Sequence, residues 1–404
     1  MTQARPAQLR PPFPGVDSQT LILLSVCALL AIGTSVIFSA TSILPRTLEY
    51  KPHLYFFKHL IFVVTSIIAM LGFSLIDYRW LLKPKLLKSA VAVTFGLLVY
   101  VLLFGREVNG ARRWVFIGGV SFQPSELAKV VSILALSVFL ACRREQNSQF
   151  REGFLPAIGL VGLLCALIYL ENDLGTPLLI GSVLAVIMLA AGIRWHHFLA
   201  FLPVVAAFLS YQLVWGGGFR SRRLQIYIDP WVEPDKGGYQ IIQSMIAFHS
   251  GGLWGKGLGN SMQKQGFLPA HMTDFIFAVV GEELGFAGCA LVIVLFGVLL
   301  FAGIKVIQRA PDLAGSLIAV GIVASIGMQA LINMGVVTLL LPTKGIALPF
   351  MSLGGSSMIV AGASVGILMN IGKQRELTHA VELSPGQEYF EDVEYLQAEE
   401  TAPL

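Results

Sequence analysis

A single acidic residue, Asp274, stands where a polar loop gives way to a long apolar run in the stretch HMTDFIFAVVGEELG, residues 271–285. Two further acids, Glu282 and Glu283, lie inside that run. An ionisable residue in a membrane segment is costly to keep and usually marks a functional site. A carboxylate at this boundary can accept a proton from an attacking hydroxyl group, or relay protons through a transporter.

Two other polar stretches carry cations that suit an anionic ligand. In NGARRW, Arg112 and Arg113 offer guanidinium groups whose shape matches phosphate oxygens, although such residues also anchor loops at lipid headgroups. In QPSELAK, Glu126 and Lys129 are three residues apart and therefore neighbours on one helix face. This pair either neutralises itself for entry into the bilayer or holds Lys129 toward a cavity that binds substrate.

The stretch PTKGIALPFMSLGGSS adds one cation, Lys344, and two hydroxyls, Ser356 and Ser357, that follow a Gly-Gly pair. The serines can donate hydrogen bonds to a ligand, but small residues also favour close helix packing in lipid. An acid among cations fits transfer of a group away from a diphosphate, with a divalent metal bound by carboxylate and phosphate oxygens. These residues favour group transfer only slightly over proton-coupled transport through Asp274 and Glu282, and composition does not separate the two.

The elements that must position these residues are membrane helices. The chain has 404 residues, of which 55% are hydrophobic and only 13% charged, a composition typical of a polytopic membrane protein. Its four cysteines fall in different apolar runs, which favours neither disulfides nor a zinc site. About ten runs are long enough to cross a bilayer. The predicted spans are 20–43, 54–76, 87–104, 124–142, 154–171, 174–192, 196–215, 272–304, 313–341 and 349–371.

The distribution of Lys and Arg predicts that both termini are cytoplasmic, because the loops on that side then carry the larger share of basic residues. The first span reads as an uncleaved anchor. The predicted organisation is an all-α membrane protein with a cytoplasmic segment 1–19, a ten-helix domain 20–373 and an acidic, disordered cytoplasmic tail 374–404. Between spans seven and eight lies a long extracytoplasmic loop, 216–273.

Most of the unusual polar sequence falls on the outer face in this topology, which points to a site that opens outward. The long outer loop contains GYQIIQSMIAFHSGGLWG, whose apolar spacing predicts an amphipathic helix at the membrane interface or re-entering it. Glu282 and Glu283 lie about 12 Å further along the helix than Asp274. Structural pairing is the expected role of both glutamates.

Six motifs occur in an order that resembles the SEDS family (shape, elongation, division and sporulation), whose members are membrane-embedded peptidoglycan glycosyltransferases. The resemblance covers residues 20–373 and is closer to the division members than to the elongation members. The motifs are NGARRW, FQPSELAK, DLGT, GYQIIQS, TDFIFAVVGEELGF and LPTKGIALPF followed by GGSS.

The resemblance implies that the protein polymerises lipid II into glycan strands at the division septum, on the outer side of the cytoplasmic membrane. The catalytic Asp of the family falls on Asp274, its paired residues on Glu126 and Lys129, and its loop arginines on Arg112 and Arg113. It also implies a class B penicillin-binding protein and other division proteins as partners, no nucleic acid, and a divalent cation, Mg²⁺ or Mn²⁺. The residues that would bind this cation are not identified by the sequence.

The chain departs from the family's wording at three places. The usual LPEAHTDF is LPAHMTDF, with Ala270 in place of the Glu and His271 one place early. The usual QPDLGT is ENDLGT, with Glu171 and Asn172. The usual SYGGSS is SLGGSS, so that Leu353 lacks a hydroxyl. The catalytic Asp and the Glu and Lys of the fourth span are unaffected.

The leading hypothesis is an inverting glycosyl transfer in which Asp274 serves as general base. The alternatives are a lipid II flippase, with Asp274 and Glu282 as gating groups, and a scaffold of the division machinery without catalytic activity. The clustering of cations and one carboxylate on the outer face favours the enzyme.

Overall fold

The computed structural model describes residues 17–42, 52–108, 111–117, 120–214 and 219–382, and these fold into helices and one small sheet. The helices are α1 (Ser18–Ser42), α2 (Pro52–Leu75), α3 (Tyr78–Leu81), α4 (Pro84–Phe104), α5 (Pro124–Cys142), α6 (Leu155–Leu170), α7 (Gly175–Ala190), α8 (Trp195–Val214), α9 (Phe219–Ile228), α10 (Tyr239–Gly251), α11 (Ile276–Arg309), α12 (Leu313–Val337) and α13 (Gly355–Glu382). The strands are β1 (Arg106–Val108), β2 (Ala111–Ile117) and β3 (Val120–Phe122).

The predicted multi-pass helical membrane protein is confirmed. Within the described ranges, eight helices are long and apolar enough to cross a membrane. They are α1, α2, α4, α5, α6 with the turn before it, α11, α12 and α13. The predicted span 174–192 corresponds to a shorter apolar helix, α7, whose 16 residues are about 24 Å long against a hydrocarbon layer of about 30 Å. The predicted span 196–215 corresponds to α8, of which the apolar stretch is Trp195–Ala207. The count of ten and the orientation stay predictions.

The boundaries drawn at the two ends of the domain fall largely on parts of the chain that the structure does not describe. Residues 1–16 and 383–404 lie outside the described residues. At the C-terminal end, α13 continues to Glu382, beyond the predicted start of the tail at 374. The remainder of the acidic tail stays a prediction.

A small antiparallel sheet, which the sequence patterns did not predict, connects α4 to α5. Its strands are ordered β1-β2-β3, with Glu107 opposite Arg112 and Phe116 opposite Ser121. Asn-Gly and Gly-Gly pairs separate the strands in the sequence. Because strand side chains alternate between faces, the sheet sends the two neighbouring arginines of β2 in opposite directions.

Helix α12 lies at the centre of the bundle and packs against α5, α7, α11 and α13. Helices α13 and α2 approach each other closely at small residues. A β-carbon added at Gly362 would lie 2.5 Å from the carbonyl oxygen of Ser66, and one added at Gly366 would lie 2.3 Å from that of Met70. Close approach of two backbones at glycine is a main way in which helices pack in lipid.

Helix α11 is interrupted at Gly285, whose φ of 67° is left-handed. Residues 219–273, named the outer segment for their predicted position, supply the missing hydrogen bonds. The N–H groups of Phe286 and Ala287 donate to the carbonyl oxygens of Gly252 and Leu253, at 2.9 and 3.1 Å. Backbone groups at membrane depth must be satisfied within the protein, and this segment satisfies them.

The predicted amphipathic helix is confirmed as α10, but its buried face packs on protein. Ile241, Ile242, Ser244 and Ala247 are buried, and the helix packs against α11. The Ser244 hydroxyl donates to the carbonyl oxygen of Val337, at 2.8 Å. The long outer segment is therefore a folded cover over the N-terminal half of α11.

Candidate active site

Asp274 lies in a tight turn immediately before α11, which begins at Ile276. The turn centres on Ala270, whose φ of 55° is unusual for a residue other than glycine. The Ala270 carbonyl oxygen accepts hydrogen bonds from the N–H groups of Thr273 and Phe275, at 3.0 and 3.2 Å. The turn is thus fixed locally where the sequence departs from the family's wording.

A second loop, residues 342–354 between α12 and α13, holds this turn in place. The Ser352 hydroxyl donates to the carbonyl oxygen of Thr273, at 2.6 Å. The Leu353 N–H donates to the carbonyl oxygen of Met272, at 2.8 Å. Leu353 therefore contributes through its backbone, so that the missing hydroxyl of the usual Tyr does not affect this contact.

Two amide side chains of α12, which the sequence analysis did not identify, connect the Asp274 turn to the 342–354 loop and to α5. The Asn333 amide donates to the carbonyl oxygens of both Asp274 and Ile346, each at 2.7 Å. One helical turn earlier, the Gln329 amide donates to the carbonyl oxygen of Ala347, at 2.9 Å. Two amides four residues apart inside an apolar span were the signal that could have revealed them.

The pair predicted on α5 forms and joins the same network. The Lys129 ammonium lies 2.8 Å from Glu126 Oε2 and donates to Gln329 Oε1, also at 2.8 Å. Lys129 is buried and Glu126 nearly so. Gln329 thereby links the ion pair to the 342–354 loop, while a direct contact of Lys129 with substrate stays a prediction.

The Asp274 carboxylate itself is surrounded by protein but has no internal partner among the described residues. A β-carbon placed on Gly345 would lie 2.9 Å from Asp274 Oδ2, so the carboxylate rests against the backbone of the 342–354 loop. Burial raises the pKa of the Asp274 carboxyl to about 6, above the ordinary value of about 3.9. A carboxylate with a raised pKa and no partner is a stronger base than an exposed one.

Lys344, next to Gly345, reaches toward the N-terminus of α7. A β-carbon on Gly175 would lie 3.7 Å from Lys344 Cδ and 3.6 Å from Asp173 Oδ1. The pKa of the Lys344 ammonium is lowered, chiefly by burial; the charge of Arg223 acts in the same direction and that of Asp173 opposes it. Two cations and one acid thus lie near one another here.

Arg113 joins this cluster through the turn between α6 and α7. Its Nη2 donates to the carbonyl oxygen of Asn172, at 2.5 Å, and its Nε lies 3.7 Å from Asp173 Oδ2. Asp173 also caps α7, accepting from the N–H of Gly175 at 2.9 Å and from the Thr176 hydroxyl at 2.7 Å. The cluster of Arg113, Asp173, Arg223 and Lys344 is hereafter the basic cluster.

The structure separates Arg112 from the basic cluster. Its Nε lies 4.0 Å from Glu107 Oε2, and both side chains are at least half exposed. The two arginines therefore do not act as one clamp.

The two predicted serines make hydrogen bonds within the protein. Ser356 Oγ accepts from the N–H of Gln123, at 3.3 Å, and Ser357 Oγ donates to the carbonyl oxygen of Gly354, at 3.1 Å. Ser356 connects the start of α13 to the start of α5, and a contact of either serine with substrate stays a prediction.

Glu282 and Glu283 have the structural pairing expected of them. Both are fully buried. Glu282 accepts from the Lys256 ammonium at 2.8 Å, and also from two serine hydroxyls and two backbone N–H groups. Glu283 accepts from the Lys264 ammonium at 2.7 Å and from the Ser39 hydroxyl at 2.6 Å. These bonds fasten the outer segment to α11 and α1.

The described side chains do not by themselves form a binding site for a divalent cation. The described ranges contain no group of three His, Cys, Asp or Glu residues placed to hold a metal ion. Asp274 supplies one carboxylate, and Mg²⁺ is commonly held by one or two carboxylates together with substrate phosphates. A metal at this site would therefore need a diphosphate for its remaining ligands.

A family described as "FTSW_RODA_SPOVE: Cell cycle protein" matches residues 19–377. Stage V sporulation protein E of Bacillus subtilis (strain 168) is 41% identical over 87% of this chain and 96% of its own length. A protein of Geobacter metallireducens named probable peptidoglycan glycosyltransferase FtsW is 40% identical, over 89% of this chain and 95% of its own.

Two solved structures resemble the fold. One, described as "Structural coordination of polymerization and crosslinking by a peptidoglycan synthase complex", has a TM-score of 0.73 and 27% identity, covering 88% of this chain and 97% of its own. The rod shape determining protein RodA of Thermus thermophilus has a TM-score of 0.62 and 25% identity, over 90% of this chain and 99% of its own.

Substitution of Asn333 by Leu should loosen the site. It leaves the carbonyl oxygens of Asp274 and Ile346 without their donor, at an expected cost of about 1 to 3 kcal/mol. Thermal unfolding in detergent measures the loss. Asn260→Leu, which removes an exposed amide bond to the Lys256 carbonyl oxygen, is the control and should change little. Equal effects of the two substitutions would contradict a bridging role for Asn333.

Proposed function

The chain belongs to the FtsW/RodA/SpoVE family of cell cycle proteins, and we infer that it is a peptidoglycan glycosyltransferase. It polymerises lipid II into glycan strands during septal wall synthesis, as a multi-pass protein of the cytoplasmic membrane. Relatives that cover nearly all of this chain carry the glycosyltransferase name. The observation within the structure that supports it best is the Asp274 carboxylate, which has no partner among the described residues and rests against the loop that bears Lys344.

Asp274 acts as the general base. The acceptor sugar hydroxyl loses its proton to Asp274 as its oxygen bonds to the anomeric carbon of the donor. The bond from that carbon to the diphosphate oxygen breaks, and the electron pair leaves with the diphosphate. Attack opposite the leaving group inverts the anomeric configuration. At pH 7 most Asp274 is ionised, because its pKa is about 6.

The basic cluster stabilises the departing diphosphate. Lys344 adjoins Gly345, which contacts Asp274, while Arg113 is held by Asn172 and Asp173 on the neighbouring helix end. Cations held in place beforehand stabilise developing negative charge without reorganisation at the moment of reaction. The separation of Arg112 favours Arg113 as the phosphate ligand of the two.

A crosslinking partner follows from the chemistry of the product. The similar synthase complex is described as coordinating polymerization and crosslinking. We propose that this chain works with a class B penicillin-binding protein that crosslinks its strands, and with other division proteins.

Substitution of Asp274 by Asn should lower polymerisation of lipid II by purified protein by roughly 10²- to 10⁴-fold, the range that general bases contribute. Chain growth is measured by gel analysis of the products. Asp235→Asn, which removes an exposed carboxylate from the outer segment, is the matched control and should keep full activity.

Full activity in the Asp274→Asn protein would overturn the general base. A reconstituted assay that scores lipid II translocation separately addresses the transport alternative: translocation by the wild type without chain growth would favour a flippase. Normal division of cells that carry the Asp274→Asn protein at the wild-type protein level would favour a scaffold without catalytic activity.

The rate of polymerisation should fall as the pH drops through about 6. Protonation of Asp274 removes the base, and its pKa is raised to about 6, so the rate declines about tenfold per pH unit below that value. The measurement is the initial rate from pH 5 to 8, with lipid II binding followed in parallel. A midpoint near 4 would contradict burial of the carboxylate.

The divalent cation, Mg²⁺ or Mn²⁺, is a proposal whose ligands would be Asp274 and diphosphate oxygens. When bound it would neutralise charge on the leaving group. Chelation should then abolish polymerisation, and either metal should restore it, in reactions with and without the crosslinking partner. Unchanged product length in the chelator would show that the basic cluster suffices.

A further inference from the structure

A cavity of about 320 Å³ opens beside the basic cluster, at the junction of the sheet with the ends of α4 and α6. Its apolar walls are Leu102 and Leu170, and its polar lining comes from Glu107, Arg112, Glu171 and Asn172. None of its polar residues belongs to the Asp274 network. The cavity therefore has its own chemistry.

Glu171 is the unusual group of this cavity. It is 2% exposed, and within the described residues neither carboxylate oxygen has a hydrogen-bond partner. The guanidinium of Arg113, whose charge acts on Glu171, is engaged with the Asn172 carbonyl oxygen and Asp173. An isolated buried carboxylate is expensive, so such groups normally have a partner.

The remaining charges show which partner is missing. At the rim, Arg112 and Glu107 lie 4.0 Å apart and compensate each other while staying exposed. Among the described residues, the buried part of the cavity thus holds a carboxylate without a basic partner. A primary ammonium has three donors and can serve both carboxylate oxygens, and the two leucines suit the methylene stem that carries it.

We propose that this cavity is a subsite for a primary ammonium group on the peptide of the lipid-linked disaccharide, with Glu171 as its acceptor. The subsite rests on the proposed function, because it assigns a second contact to the same substrate. The side chain of a lysine or another diamino residue has the required chemistry.

The direct test compares the binding of two lipids. One is lipid II whose peptide carries a lysine with a free side-chain amine, and the other is the same lipid with that amine acetylated. Wild-type protein in nanodiscs should bind the free amine roughly tenfold more tightly, as expected of a charge-assisted hydrogen bond. In Glu171→Gln the ratio should fall to about one. Glu107→Gln, which removes the exposed carboxylate of the same cavity, should keep most of the preference.

The pH dependence of binding separates an ammonium from a neutral ligand group. Burial, aided by the charge of Asp173 and opposed by that of Arg113, raises the pKa of Glu171 to about 8. Glu107 and Arg112 are the other charged groups that face it. Affinity for the free amine should rise from pH 7 to 9 as Glu171 ionises. A fall over this range would mean that protonated Glu171 donates to a neutral group, and would overturn the proposal.

Binding requires no turnover, so the two proposals can fail separately. Equal wild-type affinities for the free and acetylated amine, with normal polymerisation, overturn the subsite and leave the glycosyltransferase. Tighter binding of the free amine by a protein that does not polymerise lipid II overturns the glycosyltransferase and leaves the subsite. The wild-type ratio and its pH trend decide the matter even if Glu171→Gln fails to fold.

Discussion

The hydrogen bonds from the Asn333 amide to the carbonyl oxygens of Asp274 and Ile346 connect the parts of the molecule on which the site depends. One amide joins the turn before α11 to the 342–354 loop, and both are held on α12, the central helix. Gln329 extends this connection to Lys129 and Glu126 on α5. Asp274, the loop that carries Lys344 and the α5 ion pair are therefore positioned by one helix face.

The same constraint, that polar groups buried in a membrane protein need internal partners, accounts for the outer segment. Gly285 interrupts α11, and backbone groups of Gly252 and Leu253 satisfy the bonds that the interruption frees. Glu282 and Glu283 hold the segment with buried ion pairs. Removal of one partner from such a pair is strongly destabilising, so these acids fix the segment that leads into the turn of Asp274.

Against this background of paired groups, the two exceptions are informative. Asp274 and Glu171 are the acids on the site's face that lack a partner among the described residues, and burial raises the pKa of each. Asp274 rests against the loop of Lys344, and Glu171 lies in the cavity between the sheet and the ends of α4 and α6. Such unpaired carboxylates agree with groups whose partners arrive with a substrate. The proposed partner of Asp274 is the proton of a sugar hydroxyl, and that of Glu171 is an ammonium group.

The sequence by itself determined the membrane class, because repeated hydrophobic runs of about 20 residues are typical of membrane-spanning helices. It also singled out Asp274, Glu126 and Lys129, because charged residues are unusual in or beside such runs. Spacing of three residues was enough to predict the ion pair on α5. Only the tertiary structure decided that Arg113 joins the basic cluster while Arg112 faces away, because strand alternation was not evident in a stretch read as a loop. It also decided the partners of Asn333 and Glu282, and it left the Glu171 carboxylate without a hydrogen-bond partner among the described residues, since contacts between residues far apart in the chain depend on how helices pack.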